Sequence, residues 1–158
     1  MSDEKGQPPG HDWITVVHTS GTSAFAKAFS AKPVLDASVL NARCVGVEPI
    51  EALFEATRAI YDTLAFTSEA VVGPRTYLEW EARLFGEDVA GATILTRDEA
   101  GLIERVQVYH RPLHMVLRFS AELARHLNGK VDPNLFGPTE RVGSQSADGG
   151  GGANLVWF

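Results

Sequence analysis

The sequence lacks the features that mark secreted, membrane-spanning and nucleic-acid-binding proteins. Its 158 residues include one cysteine, Cys44, so no disulfide can form within the chain. No apolar run approaches the roughly 18 residues of a transmembrane helix, and the first residues show no signal-peptide pattern. The net charge is −6 without a basic stripe, which disfavours a nucleic-acid partner. These absences predict a soluble, cytoplasmic protein that binds neither a membrane nor a nucleic acid.

The motifs of common cofactor and metal sites are also missing. The sequence contains no Gly-rich phosphate loop, no GxSxG elbow, no HExxH and no CxxC. His110 and His114 are four residues apart, but Pro112 lies between them and no third ligand is suitably spaced. The sequence therefore predicts no metal site and no cofactor.

Both ends of the chain differ in composition from the middle. Residues 1–11 are polar and rich in Gly and Pro, and residues 137–153 contain a run of four glycines. The apolar stretch NLVWF follows at 154–158. The hydrophobic content of 44% is enough for one core. We therefore expect one domain at 12–136, between a flexible segment at 1–11 and a flexible Gly-rich tail at 137–158.

Two long segments have the periodicity of amphipathic helices. In residues 47–64, apolar side chains recur at helical spacing from Ile50 to Leu64, and Pro49 suits the first turn. Residues 113–127 repeat this spacing after Pro112. Shorter helical segments precede them at 12–33, with a break at Gly21 and an end at Pro33.

Five further stretches are typical of β-strands, at 34–41, 65–72, 76–85, 90–97 and 102–111. In RTYLEWEARLFG (75–86), apolar Leu78 and Trp80 alternate with charged Glu79 and Glu81, which indicates a strand with one buried and one exposed face. The strands follow one another with short connections, and the long helices lie on either side of them in the sequence. This order predicts an α+β fold with helices packed on one face of a curved antiparallel sheet.

Three stretches resemble the NTF2-like superfamily, also called SnoaL-like or ketosteroid-isomerase-like, which has a cystatin-like α+β fold. They are VLDASVLNARCVGVEPIEALFEATRAIYD, RTYLEWEARLFG and ILTRDEAGLIERVQVYHRP, and the resemblance covers about residues 12–112. It implies a cone in which the curved sheet wraps around the N-terminal helices. The helix at 113–127 is an addition to the usual domain. The resemblance also implies a homodimer formed through the outer sheet face.

The resemblance implies a pocket between the concave sheet face and the helices. The residues expected to line it are Phe25, Phe29, Asn41, Phe54, Leu78, Trp80, Ala82, Val106 and Val108. The side chains expected on the outer face are Tyr77, Glu79, Glu81, Arg83, Arg97, Arg105, Gln107 and Tyr109. An aromatic and aliphatic wall favours a small apolar or aromatic molecule as the ligand.

The catalytic residues of the family are only partly matched. At the place of the aspartate base of the ketosteroid-isomerase branch this chain has Ala37, with Asp36 beside it. At the places that carry the charged groups of the epoxide-hydrolase branch it has Trp80, Ala82 and Val108. Neither template is complete.

His110 is the best single candidate for an acid or base. Its imidazole titrates near neutrality when unperturbed, and we expect it at the pocket mouth with Asp36 or Glu104 as a partner. Two functions remain open. The chain binds a small apolar molecule without chemistry of its own, or it is an isomerase, a polyketide-cyclase-like enzyme or a hydrolase that uses His110.

Overall fold

The computed structural model describes residues 6–18 and 22–136, and the backbone alone at 22–24. The predicted tail at 137–158 and the start of the predicted N-terminal segment lie outside the described residues. Within the described ranges, no helix combines the length and the apolar composition needed to cross a membrane.

The described chain forms four α-helices, six β-strands and one short 3-10 turn. The helices are α1 (His11–His18), α2 (Thr22–Lys27), α3 (Val47–Ile60) and α4 (Leu113–His126). The strands are β1 (Phe29–Ala37), β2 (Cys44–Val45), β3 (Tyr61–Val72), β4 (Arg75–Leu84), β5 (Glu87–Arg97) and β6 (Ile103–Arg111). The 3-10 turn is Pro133–Leu135.

The strands form one curved, unclosed sheet in the order β2-β1-β6-β5-β4-β3. The α+β class is confirmed. The pairing of β1 with β6 is parallel and the other pairings are antiparallel, so the sheet is mixed rather than wholly antiparallel. A parallel pair needs a long connection, and the chain between these two strands includes α3 and the β3–β5 meander.

Burial along β4 alternates residue by residue over its whole length, as RTYLEWEARLFG predicts. Leu78 and Trp80 are buried, whereas Glu79 and Glu81 are exposed. The buried face of the sheet packs against α3 and α4. The core residues that these helices contribute are Ile50, Leu53, Ala56, Ile60, Met115, Phe119 and Leu123.

Two predicted helix boundaries are wrong for the same reason, which is strand pairing. The helix expected to reach Leu64 ends at Ile60, because Tyr61 is already extended and pairs with Leu84 across β3 and β4. Pro33 does not end a helix but lies inside β1, where the pairing with β6 is irregular between Phe29 and Val34. Proline has no N–H to donate and is tolerated at such irregularities.

A β-bulge near the start of β6 changes which side chains face inward. Thr96 pairs with Arg105, but Arg97 pairs with Ile103, so Glu104 is left as the extra residue. Ile103 is buried and Glu104 is exposed. Arg97 does not lie on the outer face, because its guanidinium bonds to the hydroxyl of buried Thr76.

Candidate ligand-binding cavity

A row of three residues crosses the middle of the inner sheet face. Trp80 on β4 pairs with Gly91 on β5, which in turn pairs with His110 on β6. A Cβ atom on Gly91 would lie 2.4 Å from the indole Cζ2 of Trp80 and 2.1 Å from the carbonyl oxygen of Tyr109. The missing side chain therefore lets the large indole ring lie across the sheet towards His110.

The space between this face and the helices is a cavity of about 270 Å³, which we call the inner cavity. Most of its wall is aliphatic or aromatic. The sheet contributes Leu35, Ala37, Leu64, Phe66, Trp80, Thr93, Val108 and His110. The helices contribute Trp13, Val17, Leu53, Phe54, Phe119 and Leu123.

Four rings on the cavity wall contact one another in a closed circuit. The ring centroids of Trp80 and His110 are 5.3 Å apart, and those of His110 and Phe119 are 5.5 Å apart. The Tyr61 ring completes the circuit, at 5.5 Å from Phe119 and 6.2 Å from Trp80. Tilted and edge-on contacts at these distances are favourable between aromatic rings. The circuit brings the imidazole and the phenol to the same part of the wall.

His110 is held in place by Ser38, which follows β1. The Ser38 hydroxyl oxygen accepts the backbone N–H of His110 at 2.9 Å, and it lies 2.9 Å from the ring Nδ1. Burial lowers the pKa of His110 from 6.5 to about 4, because the apolar surroundings disfavour the charged imidazolium. His110 is therefore neutral at physiological pH.

Two other polar groups on the wall are also uncharged. The Thr93 hydroxyl accepts a hydrogen bond from the Trp80 indole N–H at 3.0 Å, which fixes the indole. The Tyr61 hydroxyl has no hydrogen-bond partner among the described residues. Burial raises the pKa of Tyr61, so the phenol also stays neutral.

The exposed members of the lining mark where the cavity meets solvent. They are His18, Asp62 and Thr63. Beside them, the Arg58 guanidinium donates to the carbonyl of Val17, which ties α3 to α1. The charged groups thus lie towards the opening, and the deeper wall is neutral.

The structure brings only part of the predicted site to the inner cavity. Phe54, Trp80, Val108 and His110 line it. Five others do not and are instead buried in the core, namely Phe25, Phe29, Leu78, Ala82 and Val106. Asn41 is exposed in a shallow groove beside β1. The alternation of side chains along a strand predicts which of them point inward, but not whether an inward side chain lies in the core or on the cavity wall.

The two carboxylates expected beside His110 are elsewhere. Asp36 faces away from the cavity, where its carboxylate accepts two hydrogen bonds from Arg105, at 2.8 and 3.0 Å, and lies 3.4 Å from Arg43. Glu104 is at the bulge, six residues from His110 along the strand, a separation of about 20 Å. Neither carboxylate bonds to His110.

Tyr61, Ser38 and Thr93 were not identified from the sequence. Tyr61 falls inside the helix predicted at 47–64, although its aromatic ring and the nearby Thr63 favour a strand. Ser38 lies 72 residues from His110, so only the β1–β6 pairing reveals the contact. Among the described residues, no group of three His, Cys, Asp or Glu side chains could hold a metal ion.

Comparison with known proteins gives matches in structure only. No family model and no curated protein matches the sequence. An uncharacterized protein with a cystatin-like fold from Silicibacter pomeroyi DSS-3 is 17% identical with a TM-score of 0.69, over 80% of this chain and 90% of that one. A steroid delta-isomerase from Pseudomonas aeruginosa is 17% identical with a TM-score of 0.67, over 73% and 86%.

A third similar structure has a bound small molecule. It is a hypothetical protein with a ketosteroid isomerase-like fold from Catenulispora acidiphila DSM 44928, solved in complex with trimethylamine. It is 21% identical with a TM-score of 0.52, over 69% of this chain and 88% of that one. With the mixed sheet, the helices on its inner face and the cavity between them, these likenesses establish the architecture. The chain has the fold of the NTF2-like superfamily.

Proposed function

We propose that the inner cavity binds a small, uncharged and mainly apolar molecule. The observation that carries the proposal is the lining of the cavity, which is mostly aliphatic or aromatic and in which burial keeps His110 and Tyr61 uncharged. A charged ligand would lose its hydration there without an opposite charge to replace it. An apolar ligand would bury its surface against aromatic and aliphatic side chains, which is the main source of affinity in such cavities.

The similar structures support a small-molecule ligand. One was solved with trimethylamine, and another is a steroid delta-isomerase. The volume of about 270 Å³ suits a molecule of one or two rings. For this chain we therefore propose only the physical class of the ligand, because the composition of the cavity wall supports that class.

Calorimetric titration of the full-length protein with two probes of similar shape tests the proposal. We expect α-tetralone, a neutral bicyclic ketone, to bind, and the anion 2-naphthoate to bind at least about tenfold more weakly. Filling the cavity by Ala37→Leu should abolish the binding of α-tetralone. Ala59→Leu is the matched control, because Ala59 is exposed on α3. Equal binding of both probes, or binding that survives Ala37→Leu, would contradict the proposal.

The alternative is an isomerase, a polyketide-cyclase-like enzyme or a hydrolase with His110 as its acid or base. It has less support, because Asp36 is paired with arginines and Glu104 is at the distant bulge. A histidine with a pKa of about 4 is also a weak base at neutral pH. A binding function needs neither carboxylate.

We also propose a homodimer formed through the outer sheet face. Its support is the exposure of two aromatic side chains among charged ones, Tyr77 at 37% and Tyr109 at 50%. Sedimentation analysis of Tyr77→Asp and Tyr109→Asp should show monomers where the wild type sediments as a dimer. Leu117→Asp is the control, since Leu117 is even more exposed but lies on α4. A monomeric wild type would refute the proposed homodimer.

A cytoplasmic location stays a prediction from composition.

A further inference from the structure

The contacts of Ser38 bear on which ring nitrogen of His110 carries the proton. A serine hydroxyl carries one hydrogen and two acceptor positions. The Ser38 oxygen accepts the backbone N–H of His110, and the ring Nδ1, at 2.9 Å, is the other partner of this hydroxyl among the described residues. With Ser38 donating, Nδ1 accepts. The single proton of the neutral imidazole is then on Nε2.

Nε2 has no hydrogen-bond partner among the described residues, and neither has the Tyr61 hydroxyl. Both side chains line the inner cavity, and both rings contact Phe119 and Trp80. The same part of the wall therefore carries two neutral donors, an N–H and an O–H. Neither atom is among the fully buried side-chain atoms without a partner in the described residues, so both are accessible from the cavity and can donate to an acceptor on a ligand.

We propose that Ser38 is a positioning residue that holds His110 with its proton on Nε2, and that His110 and Tyr61 together donate hydrogen bonds to a carbonyl oxygen of the ligand. The ligand class is then a neutral ketone, ester or amide with an apolar body. This inference rests on the proposed function and specifies the polar group of the ligand. A hydrocarbon of the same shape fills the cavity but leaves both donors unpaired.

The first test is a nitrogen-15 NMR spectrum of the imidazole in the ligand-free, full-length protein at about pH 7. We expect a protonated Nε2 and an Nδ1 that accepts a hydrogen bond. Ser38→Ala should move the Nδ1 resonance to that of an acceptor without a hydrogen bond, and Ser38→Thr should restore it. Ser120→Ala is the control, since Ser120 bonds to the nearby carbonyl of Val39 without contacting His110. A proton on Nδ1 in the wild type overturns the proposal.

The second test compares α-tetralone with tetralin, which has the same ring system without the carbonyl. We expect the wild type to prefer the ketone by about three- to tenfold for each hydrogen bond. Tyr61→Phe and Ser38→Ala should each reduce this preference while tetralin binding is unchanged. Equal affinities in the wild type overturn the assigned ligand class. Binding of neither compound refutes the proposed function itself, whereas the nitrogen spectrum decides the tautomer independently.

Discussion

The half-buried imidazole of His110, with its mainly apolar surroundings, makes the stability of this protein depend on pH in a defined window. Its pKa is about 4 in the folded chain and 6.5 when it is freely solvated. Below pH 6.5 the unfolded chain therefore binds a proton that the folded chain does not yet bind. The free energy of unfolding falls as the pH drops through this window and levels off below about pH 4.

The magnitude follows from the difference between the two pKa values. Each pH unit in the window costs about 1.4 kcal/mol. The loss due to His110 is about 1 kcal/mol at pH 5.5, about 2 to 3 kcal/mol at pH 4.5, and it levels off at about 3 kcal/mol. This is a large share of the stability of a typical domain.

The assay is urea unfolding of the wild type and of His110→Gln between about pH 7 and pH 4.5. Glutamine cannot titrate, so the difference between the two curves isolates His110. The other titratable groups that line the inner cavity, His18, Arg58, Tyr61 and Asp62, are present in both proteins. We expect the wild type to lose about 2 to 3 kcal/mol more than the variant. Parallel curves would show that His110 is as well hydrated in the folded chain as in the unfolded chain, which would refute the neutral cavity wall.

Three further substitutions test separate parts of the structure by thermal or urea unfolding. Gly91→Ala should destabilise the fold by about 1–3 kcal/mol, because a methyl group would overlap the carbonyl oxygen of Tyr109 and the Trp80 indole; an unchanged stability would contradict the close approach of both to Gly91. Asp36→Asn should cost about 1 kcal/mol and leave α-tetralone binding unchanged, and a loss of binding would return Asp36 to the site. Gly10→Ala should cost about 1–3 kcal/mol, since Gly10 has a φ of 75° and its Cβ would lie 2.5 Å from the Phe66 ring; a neutral effect would show that the N-terminal segment is not docked there.

The elements that could be predicted are those whose faces differ in chemistry. In β4, charged residues alternate with Leu78 and Trp80, so a slip by one residue would bury Glu79 and Glu81. The α+β order of elements was predictable for a similar reason, because helical and strand periodicities occupy separate stretches. His110 shares the inward parity of Val106 and Val108 along β6, which predicts that its side chain points towards the pocket.

The features that could not be predicted depend on pairing between distant segments. A bulge adds one residue without a sequence signal, so the exposure of Glu104 and the inward position of Arg97 required the β5–β6 register. Asp36 points away from the cavity because its neighbour Ala37 points into it, and this follows from the alternation along a strand. The hydrogen bond from Arg105 to Asp36, however, depends on the parallel pairing of β1 with β6. The position of the Trp80 indole depends on a missing side chain at Gly91, which a sequence alone does not distinguish from a turn glycine.

The most direct test of the central claim is the pKa of His110, measured by NMR titration of its ring protons with and without α-tetralone. We expect a pKa of about 4 in the free protein and a pKa that stays well below 6.5 with α-tetralone bound, because the ligand excludes water while its carbonyl oxygen accepts from Nε2–H in both protonation states. A pKa near 6.5 that does not respond to the ligand would contradict both the neutral wall and the binding of an apolar molecule against it.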